Sequence, residues 1–336
     1  RDGAMLERVA GYTARSFARA IIMPNLVPPV TTAAAALGYR GRIMAALPDD
    51  TSFEPLMTCY LTDDCDADML ERAHGDGIFI AAKLYPAHAT TNSEFGVSDL
   101  TLIRPVLERM ERLFMPLLVH GEVTDPTVDI FDREAVFLDR VLAPLLADMP
   151  GLKVVLEHVT TADAVDFVTA AGPNVAATIT PHHLMINRNA LFEGGMRPHM
   201  FCQPVAKRER HRLALRAAAI SGDAGFFLGT DTAPHAIALK QSDCGCAGIF
   251  NAPTALECYA QVFDEENALD QLEGFASDYG ARFYGLPLNE GTLTLTRNAW
   301  NVPETLTLPS PDDDVVPFGA GATLAWRVET PEGNLA

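Results

Sequence analysis

Short apolar stretches alternate with longer amphipathic segments over most of the chain, from residue 18 to residue 229. Apolar runs of this kind are typical of strands buried on both faces, and amphipathic segments are typical of the helices that cover them. The pattern predicts seven strands, at residues 18–23, 55–61, 78–86, 115–119, 152–156, 175–180 and 225–229. It predicts helices at residues 5–12, 31–42, 68–74, 100–113, 133–146, 161–170 and 208–220.

This alternation predicts an α/β fold with a parallel sheet covered by helices, and polar residues follow the carboxyl end of nearly every strand. A doubly wound sheet collects its site at one switch point, whereas here candidate ligands follow four separate strands. A (β/α)₈ barrel places its site at the carboxyl ends of its strands, so the pattern favours a TIM barrel. A closed barrel needs eight strands, and we expect the missing first strand to precede Arg1.

Residues 1–285 are expected to form this barrel, with helices at 255–284 that seal it. From residue 286 onwards, short strand-like stretches at 291–295 and 322–328 lie among prolines and acidic residues. We expect residues 286–336 to be a C-terminal extension packed on the barrel, so that the chain is a single structural domain. The loop at 87–96 is small and polar, which is the composition of a mobile lid.

The 336 residues carry a formal net charge of −19, which argues against nucleic acid and against an anionic membrane surface as partners. An acidic substrate therefore needs local positive charge. Six cysteines suit a reducing compartment better than a disulfide framework. We see no signal peptide and no apolar run of membrane-spanning length, and we expect a cytoplasmic protein.

Four residues at the ends of separate strands carry the candidate chemistry: Lys83, His120, His158 and Asp231. One strand–helix unit separates each of the first two from the next, and two units separate the last pair. Consecutive units of a barrel bring such side chains together at the carboxyl-terminal face of the barrel. Imidazoles and carboxylates are ligands of zinc and similar metals, so the sequence predicts a metal centre.

Lys83 is one of four lysines in the chain and lies at the end of a buried strand. Such a lysine usually pairs with a carboxylate, but desolvation also favours its neutral amine. A neutral amine can take up carbon dioxide, and the resulting carbamate can bridge two metal ions. We expect a structural role for the histidines in predicted helices and loops, which are His74, His88, His199 and His211. His182 and His183 follow the sixth predicted strand and could reach the site at the carboxyl-terminal face, but no other feature distinguishes them.

The strand ends read Lys83-Leu84-Tyr85-Pro86, Leu117-Leu118-Val119-His120-Gly121-Glu122, Glu157-His158 and Gly229-Thr230-Asp231-Thr232-Ala233-Pro234-His235. Further motifs are Arg1-Asp2-Gly3, Met23-Pro24-Asn25-Leu26, Thr90-Thr91-Asn92, Arg197-Pro198-His199, Cys244-Gly245-Cys246-Ala247-Gly248 and Asn251-Ala252-Pro253-Thr254-Ala255. Together they resemble the amidohydrolase superfamily, and more narrowly the short bacterial (class II) type of dihydroorotase. The resemblance covers essentially the whole chain.

The resemblance implies zinc-dependent, reversible cyclisation of N-carbamoyl-L-aspartate to L-dihydroorotate in pyrimidine synthesis, by a homodimer. It implies two zinc ions bridged by N6-carboxylated Lys83 and a hydroxide. His120 and His158 would bind the second metal and Asp231 the first, with Asp231 also acting as general acid and base. A His-x-His pair on the strand before Arg1 would complete the site.

The resemblance also implies substrate contacts. The carboxylate would be held by Arg1, Asn25 and His235. The small, polar composition of the predicted lid loop adds the expectation that Thr90 and Thr91 close on the substrate through their hydroxyls. Main-chain groups of Gln203 and Ala247 would hold the ring amide edges, and His120 would also touch the substrate. The family more often has an apolar residue at the position of Gln203, a change that a main-chain contact tolerates.

Two other functions stay open. Another cyclic amidohydrolase, such as a hydantoinase or an allantoinase, would share the four metal ligands. It has no need of a carboxylate cradle, by which we mean Arg1, Asn25 and His235 as the group that binds a substrate carboxylate. A non-catalytic scaffold of the same fold is expected to have lost metal ligands, whereas the four visible ligands are intact.

Overall fold

The computed structural model describes residues 1–307 and 314–329. Its seven main strands are β1 (Arg19–Ile22), β2 (Glu54–Tyr60), β3 (Ala81–Leu84), β4 (Leu117–Val119), β5 (Val154–Leu156), β6 (Val175–Ile179) and β7 (Phe226–Leu228). They form one sheet in sequence order, and each neighbouring pair is parallel. The seven strands predicted from the apolar stretches are all confirmed.

Helices precede, connect and follow these strands. They are α1 (Gly3–Ser16), α2 (Ala33–Ala45), α3 (Ala67–Gly75), α4 (Arg104–Leu113), α5 (Arg133–Phe137), α6 (Ala143–Asp148), α7 (Ala162–Ala171), α8 (Pro181–Met185), α9 (Glu209–Ala219), α10 (Ile237–Lys240), α11 (Ala255–Glu265) and α12 (Tyr279–Phe283). Threonines cap two of the predicted helices: Thr32 Oγ1 accepts from Ala35 N at 3.2 Å, and Thr161 Oγ1 accepts from Ala164 N at 3.1 Å.

Several predicted elements differ in extent from the structure; the helix predicted at residues 100–113, for example, begins at Arg104. Two differences have a clear physical cause. The third strand begins at Ala81 and not at residue 78, because the amides of Ile78 and Phe79 donate to the carbonyl of Ala73 at the end of α3. The helix predicted at 133–146 contains a π-helical turn, Leu138–Leu142, between α5 and α6. Pro144 lies in the first turn of α6, and its missing N–H interrupts the regular ladder there.

The interior of the sheet shows why its strand ends matter. Five strands contribute one buried residue each to a shared apolar cluster: Ala81, Leu118, Val155, Ala176 and Phe227. Because side chains alternate along a strand, the residue two places further on lies on the same side. By this rule Lys83 and His120 follow Ala81 and Leu118 towards the carboxyl end of the same interior.

Four short strands follow the barrel helices: β8 (Leu295–Thr296), β9 (Trp300–Asn301), β10 (Thr323–Leu324) and β11 (Arg327–Val328). They pair as β9 with β10 and β8 with β11, both antiparallel. Val302, Phe318 and Leu324 are buried against Cys202 and Cys258 of the main body. Residues 308–313 and 330–336 of the expected extension lie outside the described residues.

In the described ranges, no helix combines the length and the apolar character that crossing a membrane requires.

Candidate active site

Lys83 lies at the carboxyl end of β3 with only 1% of its surface exposed. Its ammonium is 5.1 Å from the centre of the Tyr85 ring. Burial lowers the pKa of Lys83 to about 8, although the carboxylates of Glu157 and Asp231 oppose the shift. Lys83 is therefore closer to its neutral form than a surface lysine.

The two strand-end histidines meet, with the ring centres of His120 and His158 4.9 Å apart. Nε2 of His120 contacts Oε2 of the buried Glu122 at 3.0 Å, which leaves Nδ1 as the ring nitrogen not used by that carboxylate. Nδ1 of His158 is buried without a hydrogen-bond partner. Burial lowers the pKa of His158 well below its usual range, so its ring is neutral and can act as a ligand.

A chain of hydrogen bonds fixes the main chain at His158. Its amide donates to Thr178 Oγ1 at 2.7 Å, and that hydroxyl donates to Glu157 Oε2 at 2.6 Å. The backbone of His158 has φ of 47°, in the left-handed region that costs free energy for most residues. The hydrogen bonds on β6 therefore support a strained turn directly at a candidate ligand.

Asp231 follows β7 and also has a left-handed backbone, with φ of 44°. Burial raises the pKa of Asp231 to about 7, and nearby Glu157 adds to the rise while Lys83 and Arg1 oppose it. Burial likewise raises the pKa of Glu157. The four candidate ligands thus form two neighbouring groups, the histidine pair and the electrostatically linked Lys83 and Asp231.

Gly229 lets β7 approach β6 closely at this site. A Cβ atom at position 229 would lie 2.4 Å from Cβ of Thr178, the residue that supports His158. We expect Gly229→Ala to lower the free energy of unfolding by about 1–3 kcal/mol and to reduce activity, because Thr178 must move. Urea denaturation and steady-state assays measure both effects.

A matched control for that substitution is Gly11→Ala in α1, where nothing lies within 4 Å of the added Cβ. In an open helical position alanine is favoured over glycine by about 0.5–1 kcal/mol, so this variant is expected to unfold at the same or a higher urea concentration. An unchanged denaturation midpoint for Gly229→Ala would contradict the close approach.

The predicted carboxylate contacts lie together beside Asp231. Nη2 of Arg1 is 2.6 Å from Nε2 of His235, and the same ring nitrogen is 2.9 Å from the carbonyl oxygen of Ala247. The two contacts compete for one nitrogen, which either accepts from Arg1 or donates to Ala247. Burial, followed by the charge of Arg1, lowers the pKa of His235 to about 3, so this ring is neutral.

The predicted lid loop reaches the same place. The side-chain amide of Asn25 donates to the carbonyl of Thr91 at 3.2 Å, and Thr91 Oγ1 donates to the carbonyl of Ala247 at 3.4 Å. The amide of Thr90 donates to Ser93 Oγ at 2.8 Å, within the loop itself. Gln203 is half-buried and precedes a cis peptide bond to Pro204.

Sequence reasoning missed the carboxylates that surround the candidate ligands. Glu122 follows His120 by two residues and Glu157 directly precedes His158, so both belong to the strand-end motifs. Their proximity in the chain was a usable signal. The support from Thr178 had no signal in the sequence, because it depends on the register between β5 and β6.

A second cluster that could hold a metal ion lies in the described part of the chain. Potential ligand atoms of His182, His183 and Cys202, all buried, lie within 4.8 Å of one another. The ring nitrogens of His183 already contact Thr180 Oγ1 at 2.8 Å and the carbonyl of Pro204 at 3.1 Å. Nε2 of His182 is buried without a partner.

Curated proteins similar to this chain agree with the resemblance. The chain is 63% identical to a dihydroorotase of Sphingopyxis alaskensis over 328 residues, covering 98% of this chain and 95% of that protein. It is 59% identical to a dihydroorotase of Novosphingobium aromaticivorans, with 98% and 94% covered. The chain belongs to the dihydroorotase family. Dihydroorotases are cyclic amide hydrolases, so the chain is an enzyme of that class.

Solved structures of dihydroorotases have the same fold. The enzyme of Campylobacter jejuni matches with a TM-score of 0.88 and 38% identity, covering 98% of this chain and 94% of that one. The Saccharomyces cerevisiae enzyme, solved in complex with 5-fluoroorotic acid, matches with a TM-score of 0.89 and 33% identity, with the same coverage.

An L-hydantoinase of Arthrobacter aurescens matches at only 17% identity with a TM-score of 0.78, covering 96% of this chain and 77% of that one, which shows a shared fold alone. The curled parallel sheet thus has the TIM-barrel-like fold of amidohydrolases. No family model matches the chain.

Proposed function

We propose that this dihydroorotase closes N-carbamoyl-L-aspartate to L-dihydroorotate and catalyses the reverse hydrolysis, in pyrimidine synthesis. The observation that carries the proposal is the identity of 58–63% to several curated dihydroorotases over 98% of the chain. Arg1, Asn25 and His235 support it, because a cationic and hydrogen-bonding cradle suits a substrate carboxylate in a protein of net charge −19.

The residues at the strand ends fit a pair of zinc ions. His158 has a buried Nδ1 without a partner, and Glu122 holds Nε2 of His120 in the manner of a carboxylate that orients a metal-binding histidine. His120 and His158 would hold one zinc ion, Asp231 would hold the other, and a carboxylated Lys83 would contribute to both positions. Bound there, the two ions would lower the pKa of a shared water towards about 7 and so supply hydroxide at neutral pH.

Bridging requires Lys83 to be carboxylated. Its neutral amine adds to carbon dioxide, a proton leaves the nitrogen, and the resulting carbamate carries two oxygens with one negative charge. Complete burial of Lys83 supports this step, because burial disfavours the ammonium form that cannot react.

Asp231 carries the proton in the hydrolytic direction. The hydroxide that bound metal would supply could add to the ring amide carbon, forming a C–O bond as the C–N bond breaks. Asp231 takes the proton of the hydroxide and delivers it to the leaving nitrogen. Arg1 binds the carboxylate through its guanidinium fork, and main-chain groups of Gln203 and Ala247 hold the ring amide edges.

The test compares turnover of L-dihydroorotate and hydantoin by the purified, zinc-loaded enzyme. Both rings contain the same kind of amide, but hydantoin lacks the carboxylate that Arg1, Asn25 and His235 would bind. We expect efficient hydrolysis of L-dihydroorotate and little of hydantoin. The opposite preference would assign the chain to another cyclic amidohydrolase, and no turnover of either ring by zinc-loaded enzyme would favour a scaffold.

The lid is expected to act through the hydroxyls of Thr90 and Thr91. Replacing both with valine should lower kcat by about tenfold or more, because the loop then closes without its hydroxyl contacts to the substrate and admits water. Zinc content should stay at the wild-type value. A steady-state assay measures kcat, and elemental analysis measures zinc content. Unchanged kinetics would show that the loop only connects two elements and does not act on the substrate.

We also propose residues 286–336 as an extension of one structural domain, supported by the burial of Val302 and Leu324 against the main body. We also propose a homodimer, which agrees with the family resemblance. A cytoplasmic location agrees with the free thiols of Cys59, Cys202 and Cys258. Light scattering of the purified enzyme would measure the subunit number.

A further inference from the structure

Lys240 is the last residue of α10, and only 3% of its surface is exposed. Its ammonium donates to three main-chain carbonyl oxygens: Phe201 at 2.8 Å, Cys246 at 2.7 Å and Gly248 at 2.9 Å. An ammonium has three N–H donors, so these contacts use its whole hydrogen-bonding capacity. The three partners are neutral peptide groups.

These carbonyls belong to two separate segments of the chain. Phe201 leads into Gln203, while Cys246 and Gly248 flank Ala247. The amide of Gly248 also donates to the carbonyl of Phe201 at 3.0 Å, so the two segments touch beside the ammonium. Lys240 therefore joins the two main-chain segments to which the ring contacts are assigned.

The carbonyl of Ala247 makes different contacts from its two neighbours. It lies 3.4 Å from Thr91 Oγ1 and 2.9 Å from Nε2 of His235, on the side of the lid loop and the carboxylate cradle. Because Lys240 holds the carbonyl before and the carbonyl after it, rotation of the Ala247 peptide is restrained.

We propose that Lys240 is a positioning residue, which sets the spacing between the main-chain groups of Gln203 and Ala247 and thereby the affinity for the amide edges of the substrate ring. This inference rests on the proposed function, from which it takes those two ring contacts.

The chemistry of the position supports a role beyond filling space. A buried cation costs free energy, and an apolar side chain of similar volume is often as stabilising or more so. Burial lowers the pKa of Lys240 to about 8, so the ammonium with its three donors prevails at neutral pH. Charge-assisted hydrogen bonds are stronger than neutral ones, which suits a group that must hold three peptides at fixed distances.

The test substitutes Lys240→Met, which shortens the unbranched side chain by one atom and removes its donors. We expect KM for L-dihydroorotate to rise by about tenfold or more, equivalent to about 1.4 kcal/mol, while kcat stays within about threefold. Zinc content should not change. Lys240→Gln retains two donors on a shorter side chain and should give an intermediate KM.

The matched control is Lys207→Met. Lys207 is also 3% exposed, and its ammonium donates to the carbonyl of Val205 at 2.8 Å, but it does not join the two segments. This variant should keep the wild-type KM, even if its melting temperature falls.

A wild-type KM for Lys240→Met would overturn the inference, as would an equal rise in KM for Lys207→Met. If Lys240→Met does not fold, the KM of Lys240→Gln decides in the same way. Failure of the proposed function would look different, because the wild-type enzyme itself would then not turn over L-dihydroorotate.

Discussion

Lys83→Ala is expected to lose bound zinc and to lower kcat by about a thousandfold or more, because metal catalysis supplies several kcal/mol of transition-state stabilisation. Removing the amine would remove the proposed carbamate and with it the proposed link between the two metal positions. Elemental analysis of zinc and a steady-state assay on the same sample measure both losses.

Lys83→Arg separates the bridging role from an ordinary ion pair. Arginine keeps a positive charge beside Glu157 and Asp231, but its guanidinium does not become neutral in proteins and cannot form a carbamate. We therefore expect this variant to be as inactive as Lys83→Ala. Near wild-type activity with bound zinc in Lys83→Arg would show that the lysine serves only as a counter-ion.

The control for both variants is Lys153→Ala. Lys153 directly precedes β5, at the amino end of the sheet, and its ammonium donates to the carbonyl of Phe283. Its loss should leave zinc content and kcat unchanged, since it lies at the opposite end of the strands from the candidate ligands.

Asp231→Asn is the second substitution for which we expect a large effect. It preserves the shape of the side chain but removes the carboxylate that we propose accepts and returns the proton, so kcat should fall by about 10²–10⁴-fold. Weaker zinc binding should accompany the fall, because the proposed carboxylate ligand would become a neutral amide. Measuring kcat at saturating zinc separates the two effects.

Asp223→Asn provides the comparison for that variant. Asp223 precedes β7, where its carboxylate accepts from the amide of Gly225 at 2.8 Å, at the exposed end of the same strand. Its kcat should match the wild-type value. If Asp231→Asn retained wild-type kcat at saturating zinc, another group would have to carry the proton.

The strands were predictable because their burial on both faces leaves continuous apolar runs in the sequence. The strand pattern also predicted that His120 and His158 lie close together, because the carboxyl ends of parallel strands lie at the same edge of the sheet. The exact start of β3 was not predictable. Ile78 and Phe79 are as apolar as the strand, but their amides complete the end of α3.

The surroundings of each candidate ligand were harder to predict than its position at a strand end. The hydroxyl of Thr178 reaches Glu157 and the amide of His158 only through the pairing of β5 with β6. Lys240 was one of four lysines with no local pattern to distinguish it, because its partners lie in segments that meet only after folding. Such contacts depend on register and loop geometry, which a single sequence does not encode locally.

The left-handed backbone at His158 and Asp231 narrows the ways in which the family could change these positions during evolution. Branched residues such as valine or threonine would have to move the main chain, whereas Asn, Asp, His and Gly tolerate this conformation. Of these four, only Asp and His are strong metal ligands. In a lineage that no longer catalyses the reaction, we therefore expect Asn or Gly at these positions before any other new residue. The left-handed backbone would still favour residues that tolerate it, even when metal binding no longer required Asp or His.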